Sequence, residues 1–81
     1  MSQCKVSWDT LKLEDYFFVF LDNNRKLDHN RKLIGRKTSA SSFVYCVEYS
    51  GFKSTCYGSY DIVYLLSYED CIYYKLKDLL P

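Results

Sequence analysis

Tyr16-Phe17-Phe18-Val19-Phe20-Leu21 is the stretch that decides the fold of this 81-residue chain. Nearly all of its residues favour β-structure, and their apolarity is continuous rather than alternating. Continuous apolarity over a run of this length is typical of a strand that is covered on both faces. The stretch therefore predicts a central strand, which ends at the turn-forming residues Asp22-Asn23-Asn24.

The residues that follow this strand concentrate positive charge. Residues 24–37 hold six Lys or Arg and one acid, a net charge of +5 in a chain whose net charge is +1. Such segregation of charge suggests a surface that meets a partner. Gly35 and the polar run 38–42 favour a loop or hairpin arm over residues 24–38. The cations of this arm are the first candidate contact residues: Arg25, Lys26, Arg31, Lys32, Arg36 and Lys37.

A β-hairpin is predicted after the basic arm. Ser42–Tyr49 alternates between two faces, Ser50-Gly51 favours a turn, and Phe52–Tyr57 returns. At the start of the chain, residues 1–15 predict a short strand or an irregular lead-in, with a one-turn helix from Asp9 as the rival. Trp8 is the expected core anchor of this lead-in.

The C-terminal third predicts a helix and a last strand. Ser59 is a good N-cap, and four apolar residues between 62 and 66 would share one side of a helix over Tyr60–Tyr68. The alternative is a buried strand over Ile62–Leu66, because a short apolar run fits both. Cys71–Lys77 alternates and predicts a strand, followed by a tail that places a Leu on the core.

The predicted helix provides the second set of candidate contact residues, because a tyrosine recurs on it at every fourth position. Tyrosine is enriched at protein interfaces, so these rings would form a contact patch if they face away from the sheet. The alternative is that the rings lie over the seam between helix and sheet and belong to the core. These residues are Tyr60, Tyr64 and Tyr68.

Together the elements predict one α+β domain over residues 1–81. Its sheet would be three- to four-stranded and mainly antiparallel, with one short helix packed on one face.

Motifs for catalysis or for holding a cofactor are missing from the sequence. The chain has three Gly and no glycine-rich phosphate loop, and its single histidine, His29, lies in the basic arm without a positioned nucleophile. The four cysteines are too widely spaced for a zinc site and predict free thiols. Glu14-Asp15 and Glu69-Asp70 are interpreted as solvated ends of elements. We therefore expect a non-enzyme without metal or cofactor.

Location and partner are inferred from composition. No apolar run reaches the roughly 20 residues of a membrane-spanning helix, and no signal peptide is recognisable, which predicts a cytoplasmic protein. The leading hypothesis is a binding protein that covers the surface of a protein partner with acidic character, as small phage-type inhibitors of host or defence proteins do. The alternatives are a nucleic-acid-binding module that combines the basic arm with tyrosine stacking, and a homodimer through the tyrosine patch.

Overall fold

The computed structural model describes residues 4–22 and 27–81, with side chains at all of these positions except 22 and 27–30. Six antiparallel strands in the described part form one sheet in the order β1-β6-β2-β3-β4-β5. A 3-10 turn, Trp8–Thr10, follows the first strand, and the helix α1, Tyr68–Leu76, follows the last. The strands are β1 (Cys4–Ser7), β2 (Tyr16–Asp22), β3 (Leu27–Ser39), β4 (Ser42–Val47), β5 (Lys53–Tyr57) and β6 (Ile62–Leu65).

The α+β class is confirmed, whereas the prediction of three to four strands was too low. The stretch at Tyr16–Leu21 forms β2, which pairs with β3 on one side and with β6 on the other. Its neighbours Phe17 and Phe18 point to opposite faces of the sheet, and both are buried, with 0% and 4% of their surfaces exposed. The prediction of a central strand covered on both faces is confirmed.

The first face of the sheet, here called the Trp8 face, is closed by the 3-10 turn. Trp8 meets Phe17 and Phe43 edge to face, with ring centroids 5.4 and 5.7 Å apart. Its indole Nε1 donates a hydrogen bond of 2.7 Å to the Ala40 carbonyl. Trp8 is therefore the core anchor that was expected, and it ties the lead-in to the β3–β4 turn. The buried apolar residues of this face are Trp8, Leu11, Phe17, Leu33, Phe43 and Val63.

The second face, here called the helix face, is covered by α1 and the C-terminal tail. Phe18, Ile34, Leu66 and Tyr74 form its buried cluster, and tail residues 79 and 80 pack against them. Ser67 caps the helix, because its hydroxyl accepts a hydrogen bond of 3.1 Å from the Asp70 amide. Because Leu79 and Leu80 pack against this cluster, the tail places a Leu on the core as predicted.

The predicted helix over Tyr60–Tyr68 is wrong, and the alternative of a strand is correct. β6 occupies Ile62–Leu65 because it pairs with β1 and β2 on its two sides, and Val63 at its centre is fully buried. The predicted strand over Cys71–Lys77 is also wrong. There the cap at Ser67 and two acids in the first turn start a helix, α1, in which Tyr74 is the one buried residue.

The hairpin prediction is confirmed, since β4 and β5 pair in continuous register. Gly51 adopts a φ of 73° in the connecting turn and donates its amide to the Val47 carbonyl at 2.7 Å. None of the helices that the structure describes is both long enough and apolar enough to cross a membrane.

Candidate functional site

The described part of the basic stretch does not form one basic surface. From Leu27 onward it is β3, an inner strand between β2 and β4. Alternation along the strand places Lys32 and Arg36 on the helix face, and Arg31 and Lys37 on the Trp8 face. Two further candidates, Arg25 and Lys26, lie outside the described residues.

Lys37 is part of the core. Only 5% of its surface is exposed, and its ammonium donates hydrogen bonds of 2.9 Å to the carbonyls of Trp8 and Leu11. The same ammonium lies 5.0 Å from the centre of the Trp8 ring. Lys37 therefore holds the lead-in against the sheet, and a partner on the surface would not reach it.

The other described cations of β3 also contact side chains of this chain. The Arg36 guanidinium lies 2.6 Å from the carboxylate of Glu14, which remains largely exposed, as expected for this acid. The Lys32 ammonium lies 4.9 Å from the Phe18 ring centre, and the Arg31 guanidinium lies 4.8 Å from that of Tyr49. Arg36 and Lys32 nevertheless keep part of their surface open on the helix face.

The three tyrosines predicted to share one helix side are separated by the fold. Tyr60 is half-buried on the Trp8 face, with its ring centroid 5.4 Å from that of Phe43. Burial raises the pKa of its hydroxyl. Tyr64 lies on the helix face and stacks on Phe18 at 5.2 Å. Tyr68 alone is open, with 81% of its surface exposed. The core interpretation thus describes Tyr60 and Tyr64, and the contact interpretation fits only Tyr68.

Tyr68 belongs to an apolar surface that the sequence analysis missed. It begins α1, and Ile72 and Leu76 follow at spacings of four residues, so all three share one side of the helix. Their exposed fractions are 81%, 43% and 83%. This set, here called the outer helix side, could have been found from the period of four that starts just after the capping residue Ser67.

A groove lies beside the outer helix side. Its volume is about 410 Å³, and its lining is mainly apolar and includes one lysine, Lys75. Burial and the neighbouring Asp70 raise the pKa of the Cys71 thiol, which keeps this group neutral and unreactive at neutral pH. The groove is therefore suited to accept an apolar side chain next to an anionic group. Its lining residues are Tyr16, Tyr68, Cys71, Ile72, Lys75 and Leu80.

A second depression of about 270 Å³ adjoins the groove on the same face of the sheet. The two are neighbours because Tyr16 of the groove pairs with Arg36 of the second depression, and because Leu80 and Pro81 line one each. Arg36 and Lys53 contribute positive charge to the second depression. The Lys53 ammonium lies 3.4 Å from the Asp78 carboxylate in an exposed pair.

The described residues offer few groups for metal binding or catalysis. Within residues 4–22 and 27–81, no three His, Cys, Asp or Glu residues lie close enough to hold a metal ion. The four cysteines are free thiols, and the His29 side chain lies outside the described residues. Comparison of the chain with protein-family models, with curated proteins and with solved structures finds no match.

Proposed function

We propose that this chain is a non-enzymatic binding protein that covers the surface of a protein partner with the outer helix side and its groove. The observation that carries the proposal is the exposure of Tyr68, Ile72 and Leu76 on a short helix whose only buried residue is Tyr74. Contiguous exposed apolar residues of this kind are characteristic of interaction sites. Aromatic residues in particular are enriched where proteins meet.

The charges around the groove support a partner that carries acidic residues. Lys75 lines the groove, and Arg36 and Lys53 line the adjoining depression. A partner segment that inserts an apolar side chain and carries acidic residues beside it complements both features. This supports the acidic protein partner expected from composition, although most of the contact residues differ from those predicted.

The nucleic-acid alternative rested on one continuous basic arm. The described cations of that arm are divided between two faces of the sheet, and Lys37 is buried in the core. Counterion release requires several cations to meet phosphates at the same time. The described residues offer no such cluster, so the protein partner is the function that we propose.

A peptide array tests the proposal directly. The probes are fluorescein-labelled peptides in which a central Leu or Phe is flanked either by Glu or by Lys. We expect saturable binding of the Glu-flanked peptides, with NMR amide shifts concentrated in α1 and at Tyr16. Ile72→Glu should weaken this binding at least about tenfold, because it places a like charge against the acidic peptide and removes an apolar contact.

Ile62→Glu is the matched control, since Ile62 is 56% exposed but lies on β6 away from the groove. It should bind the peptides as the wild type does. Equal binding of Glu- and Lys-flanked peptides, or equal losses in the two variants, would contradict the proposal. Gel retardation of single-stranded DNA at physiological salt would instead favour the nucleic-acid alternative.

A further inference from the structure

The strand β5 leaves one edge of the sheet open. It pairs with β4 through five consecutive residue pairs without a bulge, and it is the last strand in the sheet order. All of its residues are exposed except Cys56, which is half-buried. In the described part of the chain, no backbone hydrogen bond joins β5 to anything but β4. Natural sheets usually block such an edge with a proline, a bulge, charged side chains or a covering segment, and of these β5 carries a single charged residue, Lys53.

Two hydrogen bonds establish which backbone groups of β5 point outward. The Val47 amide donates to the Phe52 carbonyl at 2.8 Å, so this pair is of the hydrogen-bonded type. The Glu48 amide donates to the Lys32 carbonyl at 2.9 Å, so the backbone groups of Glu48 point toward β3. This agrees with the alternation of a strand, because the backbone groups of the preceding residue, Val47, point toward β5. Alternation along β5 then directs the amides and carbonyls of Lys53, Thr55 and Tyr57 away from β4.

This pattern is complementary to itself. In an antiparallel pair of two β5 strands, the outward groups all find partners only when Thr55 lies opposite Thr55 of the second copy. Lys53 then lies opposite Tyr57, and Tyr57 opposite Lys53, because the register is symmetric about Thr55. Shifting the register by two residues leaves outward groups at one end of each strand unpaired.

The side chains agree with this register. Lys53, Thr55 and Tyr57 point to the helix face, since each alternates with residues on the Trp8 face such as Cys56. Tyr57 is 87% exposed, the largest fraction among the exposed large apolar residues of the described chain. In the symmetric pair each Tyr57 ring meets the Lys53 ammonium of the other copy, which favours a cation–π contact on each side of the symmetry axis.

We propose that two copies of this chain join along β5 about a two-fold axis at Thr55, so that the two six-stranded sheets become one continuous sheet. The occupant of the open edge is thus a second copy of the same strand. The outer helix side contributes no residue to this contact. Lys53 and Thr55 of β5 do line the depression beside the groove, but the dimer is tested by mass and cross-linking and the proposed function by peptide binding, so the failure of one is distinguishable from the failure of the other.

Light scattering coupled to size-exclusion chromatography tests the proposal over a range of protein concentrations. The wild type should reach twice the monomer mass of 9.6 kDa as the concentration rises. Tyr57→Lys places two ammonium groups opposite each other at both ends of the contact, and it should raise the dimer dissociation constant at least about tenfold. Tyr68→Lys, at an equally open position on α1, should leave the dimer unchanged.

A cysteine at the symmetry axis provides a second, independent measurement. Residues facing each other in a hydrogen-bonded antiparallel pair have Cα atoms about 5.5 Å apart, within the range that a disulfide spans. In a Cys4→Ser background, Thr55→Cys should form a covalent dimer on oxidation with diamide, whereas Ser41→Cys in the β3–β4 turn should remain monomeric.

Several results would overturn the proposal. A wild type that stays at 9.6 kDa at every concentration would exclude the dimer. A dimer that survives Tyr57→Lys but is lost in Tyr68→Lys would place the contact on the outer helix side instead. Failure of Thr55→Cys to cross-link faster than Ser41→Cys would exclude the symmetric register.

Discussion

The two faces of the sheet bury aromatic residues in different ways. The Trp8 face is sealed by interlocking rings and by a lysine whose ammonium binds two backbone carbonyls. The helix face is covered by a short helix that buries only one of its own residues, Tyr74, and leaves a groove beside it. The comparison teaches that one face is closed by tight packing, while the other leaves apolar side chains and a groove at the surface.

Tyrosine and lysine occur both in the packed core of the sheet and at its open surface, depending on their position. Tyr60 packs among the rings of the Trp8 face, whereas Tyr68 is open on α1. Lys37 is buried under Trp8, whereas Lys75 lines the groove. Composition therefore determines how many rings and cations the chain has, and topology determines which of them remain at the surface.

The largest expected effect comes from removing the anchor of the sealed face. Trp8→Ala should lower the free energy of unfolding by about 3–5 kcal/mol, because it leaves a large cavity beside Phe17 and Phe43. Tyr68→Ala on the outer helix side should change it by no more than about 0.5 kcal/mol. Urea unfolding followed by circular dichroism measures both. Equal losses would show that the outer helix side is as structural as the Trp8 face.

The buried lysine should rank next. Lys37→Met keeps the aliphatic stem but removes the donor from the carbonyls of Trp8 and Leu11, at an expected loss of about 2–3 kcal/mol. Lys32→Met is the matched change on the helix face and should lose no more than about 0.5 kcal/mol. Thermal unfolding of both variants measures the difference. A Lys37→Met variant as stable as the wild type would contradict the structural role of this lysine.

Gly35 tests how tightly the sealed face is packed. A Cβ atom at this position would overlap Cζ of Phe17, so Gly35→Ala must push the ring out of the cluster. We expect a loss of about 1–3 kcal/mol. Gly58→Ala is the control, since the nearest atom to its added Cβ is the Cys56 sulfur at 3.9 Å. A harmless Gly35→Ala would mean that Phe17 has room to move.

The smallest expected effect is a difference between the two faces in how stability falls at alkaline pH. Burial, and then the neighbouring Glu48 carboxylate, raise the pKa of Tyr74 on the helix face. Its contribution to stability is full below the usual tyrosine pKa of about 10 and falls as the pH rises toward the folded pKa, at up to about 1.4 kcal/mol per pH unit. Tyr74→Phe should flatten this alkaline loss.

Tyr60 on the Trp8 face provides the comparison, because burial raises its pKa as well. Tyr60→Phe should flatten the alkaline loss by less than Tyr74→Phe does, since no carboxylate contributes to the shift of Tyr60. Urea unfolding at several values above pH 9 measures the slopes. The opposite order would assign the alkaline sensitivity to the Trp8 face.

The elements with a clear periodicity were predictable from the sequence. The continuous apolar run at β2 and the alternation of β4 followed by Gly51 predicted a central strand and a hairpin, because these signals are local. The stretch from Ile62 was ambiguous since its strand state depends on partners far away in the chain, at β1 and β2. α1 was missed because Ile72, Tyr74 and Leu76 alternate like a strand.

The candidate site was only partly predictable for the same reason. Tyr68 was identified from its spacing, but Ile72 and Leu76 were assigned to a strand, and the groove needs Tyr16 and Leu80 from distant positions. The burial of Lys37 depends on two carbonyls that lie more than 25 residues earlier in the chain. Charge counting treats every cation as exposed and therefore cannot detect such a contact.

The sheet order has a consequence for how the molecule assembles. Strands β2 to β5 follow one another in the chain, and each pairs with the next. In contrast, β1 pairs with β6 at the other end of the chain, for example Cys4 with Leu65. Closing a long loop costs more entropy than closing a hairpin. We therefore expect the β2–β5 meander to form first and the β1–β6 seam to close last. In hydrogen exchange, the amides of this seam should lose protection before those of β3.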